Sequence, residues 1–185
     1  MVEMAVLTAV VVILQLISVF FRFGPFSITL VLVPVILGSM LFGPWAGAWL
    51  GLVFGATVLL SGDAAAFLVV NPFGTVVTVL GKGFLAGLVA GLVYRLIARK
   101  NEWAALFASS FVCPIVNTGV FLLGCLVFFM PTINEWAAEA GAPNAGYYLI
   151  CGMVGINFLI ELGLNLLIAP GLYRLVGLIE RQKDN

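Results

Sequence analysis

The chain of 185 residues contains no histidine. That removes the commonest general acid–base group and the commonest metal ligand. Charge is scarce too: 9% of residues are charged, against about 25% in an ordinary soluble domain. Eight basic and eight acidic residues cancel, so no basic face is on offer to nucleic acid. The three cysteines, Cys113, Cys125 and Cys151, all lie in apolar runs and lack C-x-x-C spacing. They read as small apolar residues rather than redox or metal groups. No H-E-x-x-H, G-x-S-x-G or His-paired nucleophile occurs, which leaves intramembrane metalloproteases and serine hydrolases without their parts. Gly81-Lys82 is no ATP-binding loop, because an apolar stretch precedes it and Gly83 stands where Ser or Thr is required. Ser61, Ser109 and Ser110 are not placed to form a dyad with Lys82. No catalytic residue, metal or cofactor is expected.

What the chain does have is apolar mass. Hydrophobic residues make up 63% of it, more than a soluble core of this length can hide, so lipid must be the solvent for most side chains. Charges and turn residues cut this mass into stretches of the length a bilayer demands, about 20 residues. The reading is an all-α integral membrane protein, a single six-helix transmembrane domain over residues 1–185. Its spans are 2–21, 26–42, 45–60, 72–98, 103–130 and 146–178. Met1 to Phe21 lacks a basic leader and a small-residue cleavage site, and is read as a retained first span. Gly24-Pro25 turns the chain after span 1, Gly43-Pro44 breaks the second apolar run, and Pro72 opens span 4. Arg95, Arg99 and Lys100 cluster after span 4, and Arg174, Arg181 and Lys183 at the C-terminus, whereas the opposite side has Arg22, Asp63, Glu135 and Glu139. By the positive-inside rule both termini are cytoplasmic, in a cell membrane. The 3–4 and 5–6 loops then lie outside and are the longest, where a lid over a site is to be sought.

Glycine is ordered along two spans. Gly43, Gly47, Gly51 and Gly55 in span 3, and Gly83, Gly87 and Gly91 in span 4, recur every four residues. That spacing makes a smooth face on which helices pack closely in lipid. Ala5-x-x-x-Ala9 in span 1 is a smaller version of it.

Polar side chains inside spans are costly and therefore informative. They are Gln15, Lys82, Asn117-Thr118, Asn157, Glu161 and Asn165. Lys82 lies about 15 Å into span 4 at 1.5 Å per residue, where an ammonium costs about 2.5–3.5 kcal/mol. It needs an anion: Glu161 as an internal ion pair, a ligand, or a ligand that enters the pair. Asn157, Glu161 and Asn165 share one helical face by their four-residue spacing; the first two are candidates to line a cavity, and Asn165 to join helices. Asn71 is placed either to cap span 4 or to contact a ligand. Asn117 either satisfies the backbone carbonyl freed by Pro114 or belongs to the site. Phe21, Phe67, Phe73, Tyr147 and Tyr148 are rings near the outer ends, for stacking or for anchoring at the interface.

Several stretches together carry a resemblance: Ala5-x-x-x-Ala9, the hairpin from Leu37 to Gly47, Asn71-Pro72-Phe73-Gly74-Thr75, and Pro114-Ile115-Val116-Asn117-Thr118. On these the chain resembles the substrate-binding S components of energy-coupling factor (ECF) vitamin transporters. The resemblance implies a pocket beneath the outer loops for a water-soluble vitamin. It also implies docking through Ala5 and Ala9 onto a membrane T protein that couples to two cytoplasmic ATPases. Hydrolysis would belong to those partners, so the chain itself is not expected to be an enzyme. Lys82 suits a carboxylate and makes pantothenate the first expectation, with riboflavin and folate as the others. The expected ligand contacts are Lys82, Asn71, Asn117, Asn157 and Glu161. Two other readings are a self-contained facilitator or channel, and an assembly subunit without a ligand.

Overall fold

The computed structural model describes residues 2–20, 22–23, 26–27 and 30–183, with backbone alone for 22–23, 26–27 and 172–183. Nearly all of this is helix. In chain order the elements are α1 (Val2–Ser18), the two-residue strands β1 (Arg22–Phe23) and β2 (Phe26–Ser27), α2 (Leu32–Phe42), α3 (Pro44–Leu60), α4 (Ala65–Val70), α5 (Pro72–Ala98), α6 (Glu102–Phe128), α7 (Met130–Glu139), α8 (Ala145–Tyr147), a π-helical turn (Tyr148–Val154) and α9 (Gly155–Lys183). Three helical stretches among the described residues are long and apolar enough to cross a membrane: Pro72–Ala98, Glu102–Phe128 and Ala145–Gly171. α1, α2 and α3 are shorter apolar helices.

The turn chemistry explains most boundaries. Pro44 begins α3, where a missing N–H costs nothing, and Gly43 before it has φ 93°, which a side chain would oppose. Asn71 is extended, and its side chain accepts from the Gly74 N–H at 2.9 Å, capping α5. Asn101 caps α6 in the same way through Ala104.

Four boundaries differ from the sequence reading. α2 starts at Leu32 rather than 26, because Phe26–Ser27 pair antiparallel with Arg22–Phe23; the ladder takes the backbone bonds a helix would have used. The 3–4 connection contains α4, and the 5–6 connection is helical rather than a polar loop. α7 buries Ile133 and Ala137 while Glu135 and Glu139 face outward, the one-sided pattern of a helix lying on a core. α9 continues to Lys183 instead of stopping near 178. Phe21, Gly24 and Pro25 lie outside the described residues, as do the side chains of Arg22, Arg174, Arg181 and Lys183.

α3 and α5 meet along their glycines. A Cβ on Gly51 would collide with the Gly83 carbonyl oxygen, one on Gly83 with that of Gly51, and Gly47 and Gly87 repeat this one turn away. Only the absence of side chains lets two backbones come so near. α6 joins the same slab through Ser109, whose hydroxyl donates to the Ala90 carbonyl of α5 at 2.9 Å.

Two apolar cores result. One gathers Val11, Val31, Leu32, Val35, Ile36, Leu50 and Phe54 from α1, α3, α2 and the turn before α2. The other gathers Phe67, Phe121, Cys125, Phe129, Ile133, Leu149 and Met153 beneath α4 and α7. Phe67 of α4 is its hub, with edge-on rings at 5.6 Å (Phe121), 5.1 Å (Phe129) and 5.6 Å (Trp136).

Candidate functional site

Where these cores meet there is a cavity with about 540 Å³ of empty space, its open mouth included. Each wall follows from helical spacing. α3 contributes Phe54 and Val58, four residues apart; α5 contributes Lys82; α6 contributes Asn117, Thr118 and Phe121. α9 contributes Asn157, Phe158 and Glu161, and Val154 closes the wide turn before them. Gln15 enters from α1 and Asp63 from the turn between α3 and α4.

Four of the five ligand residues expected from the sequence, Lys82, Asn117, Asn157 and Glu161, therefore share one cavity. Asn71 lies outside its lining, with its side chain committed to the cap of α5. Its contribution is to fix the start of the helix that carries Lys82. Ala5 and Ala9 are both exposed on α1, one turn apart. Asn165 is buried, and among the described residues it donates to the Glu161 carbonyl of its own helix at 2.7 Å.

The Lys82 ammonium lies 5.6 Å from the centroid of Phe54 and 5.4 Å from that of Phe121. Ring faces at this range stabilise a cation where water cannot. Glu161 first and Asp63 second are the carboxylates whose charge acts on it. Asp63 accepts from Gln15 Nε2 at 3.4 Å, a weak bond that ties α1 to the turn.

Several buried amide atoms at the cavity are unmatched among the described residues. Gln15, Asn117 and Asn157 are 1%, 5% and 8% exposed. Gln15 Oε1, Asn117 Oδ1 and both amide atoms of Asn157 have no hydrogen-bond partner among the described residues. Leaving such a buried group unsatisfied costs about 1–3 kcal/mol, so a cluster of them around one hollow needs a reason. Asn117, three residues after Pro114, is one of the lining residues.

Asp63 was legible only as an outer-loop charge, because nothing local says that its turn folds inward. Gln15 stood out as a polar residue in a span, but its partner is 48 residues away. The π-helical turn had no sequence signal at all. Such turns insert a residue into the helical repeat and recur at functional sites; here one sets the rotation at which Asn157 and Glu161 leave Val154.

A model of the family described as "ECF transporter, substrate-specific component" matches residues 1–173. No curated protein and no solved structure matches the chain.

Proposed function

The chain belongs to the substrate-specific components of ECF transporters, and from that premise we propose that the cavity between α1, α3, α5, α6 and α9 captures a water-soluble vitamin. The protein is a transport subunit and not an enzyme. The observation that carries the proposal is a set of buried amide atoms, Gln15 Oε1, Asn117 Oδ1 and both of Asn157, without a partner among the described residues and gathered around one hollow that Lys82, Asp63 and Glu161 also line. A hole meant only for packing would be lined by apolar groups. A hole meant for a polar molecule keeps hydrogen-bonding capacity in reserve.

In this reading residues 1–185 form one transmembrane domain with both termini in the cytoplasm. The six spans are α1, α2 with the chain before it, α3, α5, α6, and the π-helical turn with α9. α4 and α7 cover the outer end. At 11 residues α2 is about 16 Å long, so the second crossing includes the residues that precede it. Arg95, Arg99 and Lys100 support this orientation. The partners are a membrane T protein, reached through Ala5 and Ala9, and two ATPases. Among pantothenate, riboflavin and folate, the choice turns on the charge of the site, since a carboxylate must compete with Glu161 and Asp63 for Lys82.

Reconstitution in vesicles tests the proposal. The chain alone should retain a vitamin without concentrating it, and adding the T protein and ATPases should switch on ATP-dependent accumulation. Accumulation or free flux through the chain alone would sink the proposal in favour of a facilitator.

A further inference from the structure

A second hollow adjoins the cavity, with about 360 Å³ of empty space on the same terms. Val58, Asp63, Lys82 and Phe121 line both, so the two are lobes of one site.

The lobes differ in chemistry. The first holds the amides. Gln15 Nε2 donates to the Asp63 carboxylate, which fixes the amide's orientation. The atom left over is Oε1, an acceptor, buried without a partner among the described residues. Asn157 has its donor and its acceptor in the same state, and Asn117 its oxygen. Hydroxyl and amide groups both donate and accept, and so can answer all three side chains. A carboxylate only accepts, and would set oxygen against the oxygens of Gln15 and Asn117.

The second lobe takes rings from Phe67, Phe121 and Phe129 and branched side chains from Val58 and Val79. Thr75 spends its hydroxyl on the Asn71 carbonyl at 2.8 Å, which leaves Thr78 as the further polar side chain beside the shared Asp63 and Lys82. Aromatic walls favour a ring that stacks on them or meets them edge-on. Lys82 belongs to both lobes, so its ammonium can donate to an acceptor atom on the rim of such a ring.

Resting on the vitamin-capture reading, we propose that the bound molecule is bipartite and uncharged. A heteroaromatic ring system enters the lobe of Phe67 and Phe129, and a hydroxyl- or amide-bearing chain joined to it meets Gln15, Asn117 and Asn157. This departs from the expectation built on Lys82 alone, which favoured a carboxylate.

The test is a competition on the full chain in detergent. Riboflavin carries both parts, lumichrome is its ring without the chain, and ribitol is the chain without the ring. These are mixed in equimolar amounts with pantothenate, biotin and thiamine as charged vitamins, and retained molecules are identified by mass spectrometry after gel filtration. Riboflavin should exceed each of the others at least tenfold. Asn157→Leu should lower riboflavin at least tenfold and bring it within about twofold of lumichrome, whose own retention stays unchanged. Val79→Phe, which fills the second lobe, should lower riboflavin and lumichrome together. If that variant melts early, the comparison of riboflavin with lumichrome and ribitol on the parent chain still decides. Lumichrome or ribitol equal to riboflavin, or a charged vitamin ahead of all three, overturns the bipartite assignment and leaves the capture role standing. Retention of nothing overturns both.

Discussion

At Asn157 two demands pull against each other. Its carboxamide is buried, yet neither of its polar atoms has a partner among the described residues. Folding alone would prefer leucine there, since removing an unsatisfied buried amide returns the desolvation cost. Asn157→Leu should therefore stabilise the unliganded chain by about 1 kcal/mol while weakening vitamin retention at least tenfold. Thermal unfolding beside a binding assay reads both, and a less stable variant with undiminished binding would show that the amide serves the fold. Polar residues within apolar spans were legible at this scale because lipid makes each one conspicuous. Lys82, Asn117, Asn157 and Glu161 came from that argument. Asp63 did not, because a charge in a turn is unremarkable until the turn is seen to fold over the cavity.

Among the elements, the α3–α5 seam is the part most fully written in the sequence. Glycines four residues apart can only mean one bare face, and two such faces in consecutive long helices invite backbone contact. Gly51→Ala or Gly83→Ala would push a Cβ into a carbonyl oxygen of the facing helix. Neither partner is a flexible side chain that could yield, so each change should destabilise the chain by about 1–3 kcal/mol, read as a lowered melting temperature in detergent. Gly119→Ala, whose Cβ would meet nothing within 4 Å, is the control and should be close to neutral. By contrast α4, α7 and the π-helical turn were hidden. Their sequences are short and mixed, and what makes them helical is the aromatic cluster around Phe67, built from residues as distant as Trp136. Composition reported α4 and α7 as loops because the contacts that order them are long-range, and it placed the π-helical turn inside the last span. α2 was overextended for the opposite reason: hydrophobicity continues back to Phe26, but backbone pairing there goes to a strand.

For the whole molecule, the division of labour is between an inner cavity and an outer wall. Ala5 and Ala9 are exposed on α1, while Val11, Gln15 and Ser18 of the same helix are buried. The helix thus offers one face to the bundle and another to lipid or a partner. Tryptophan at Ala5 or Ala9 should abolish co-purification with the T protein while leaving vitamin retention by the isolated chain within twofold. Loss of retention instead would mean that α1 serves the pocket through more than Gln15. The all-helical character and the membrane-length apolar helices were readable from hydropathy, since that is a local property of a span. The composite cavity was not, because its walls come from five helices and a turn.

Backbone-to-backbone contact along the glycine seam also divides the bundle mechanically. Helices whose carbonyls press on each other's α-carbons cannot slide without a clash, so α3 and α5 behave as one stiff stave carrying Phe54 and Lys82. The opposite wall is less regularly bonded: a π-helical turn precedes Asn157, and Pro170 inside α9 has no N–H to donate. Cargo would thus enter and leave by yielding of that side, with the stave as the fixed jaw of a clamp.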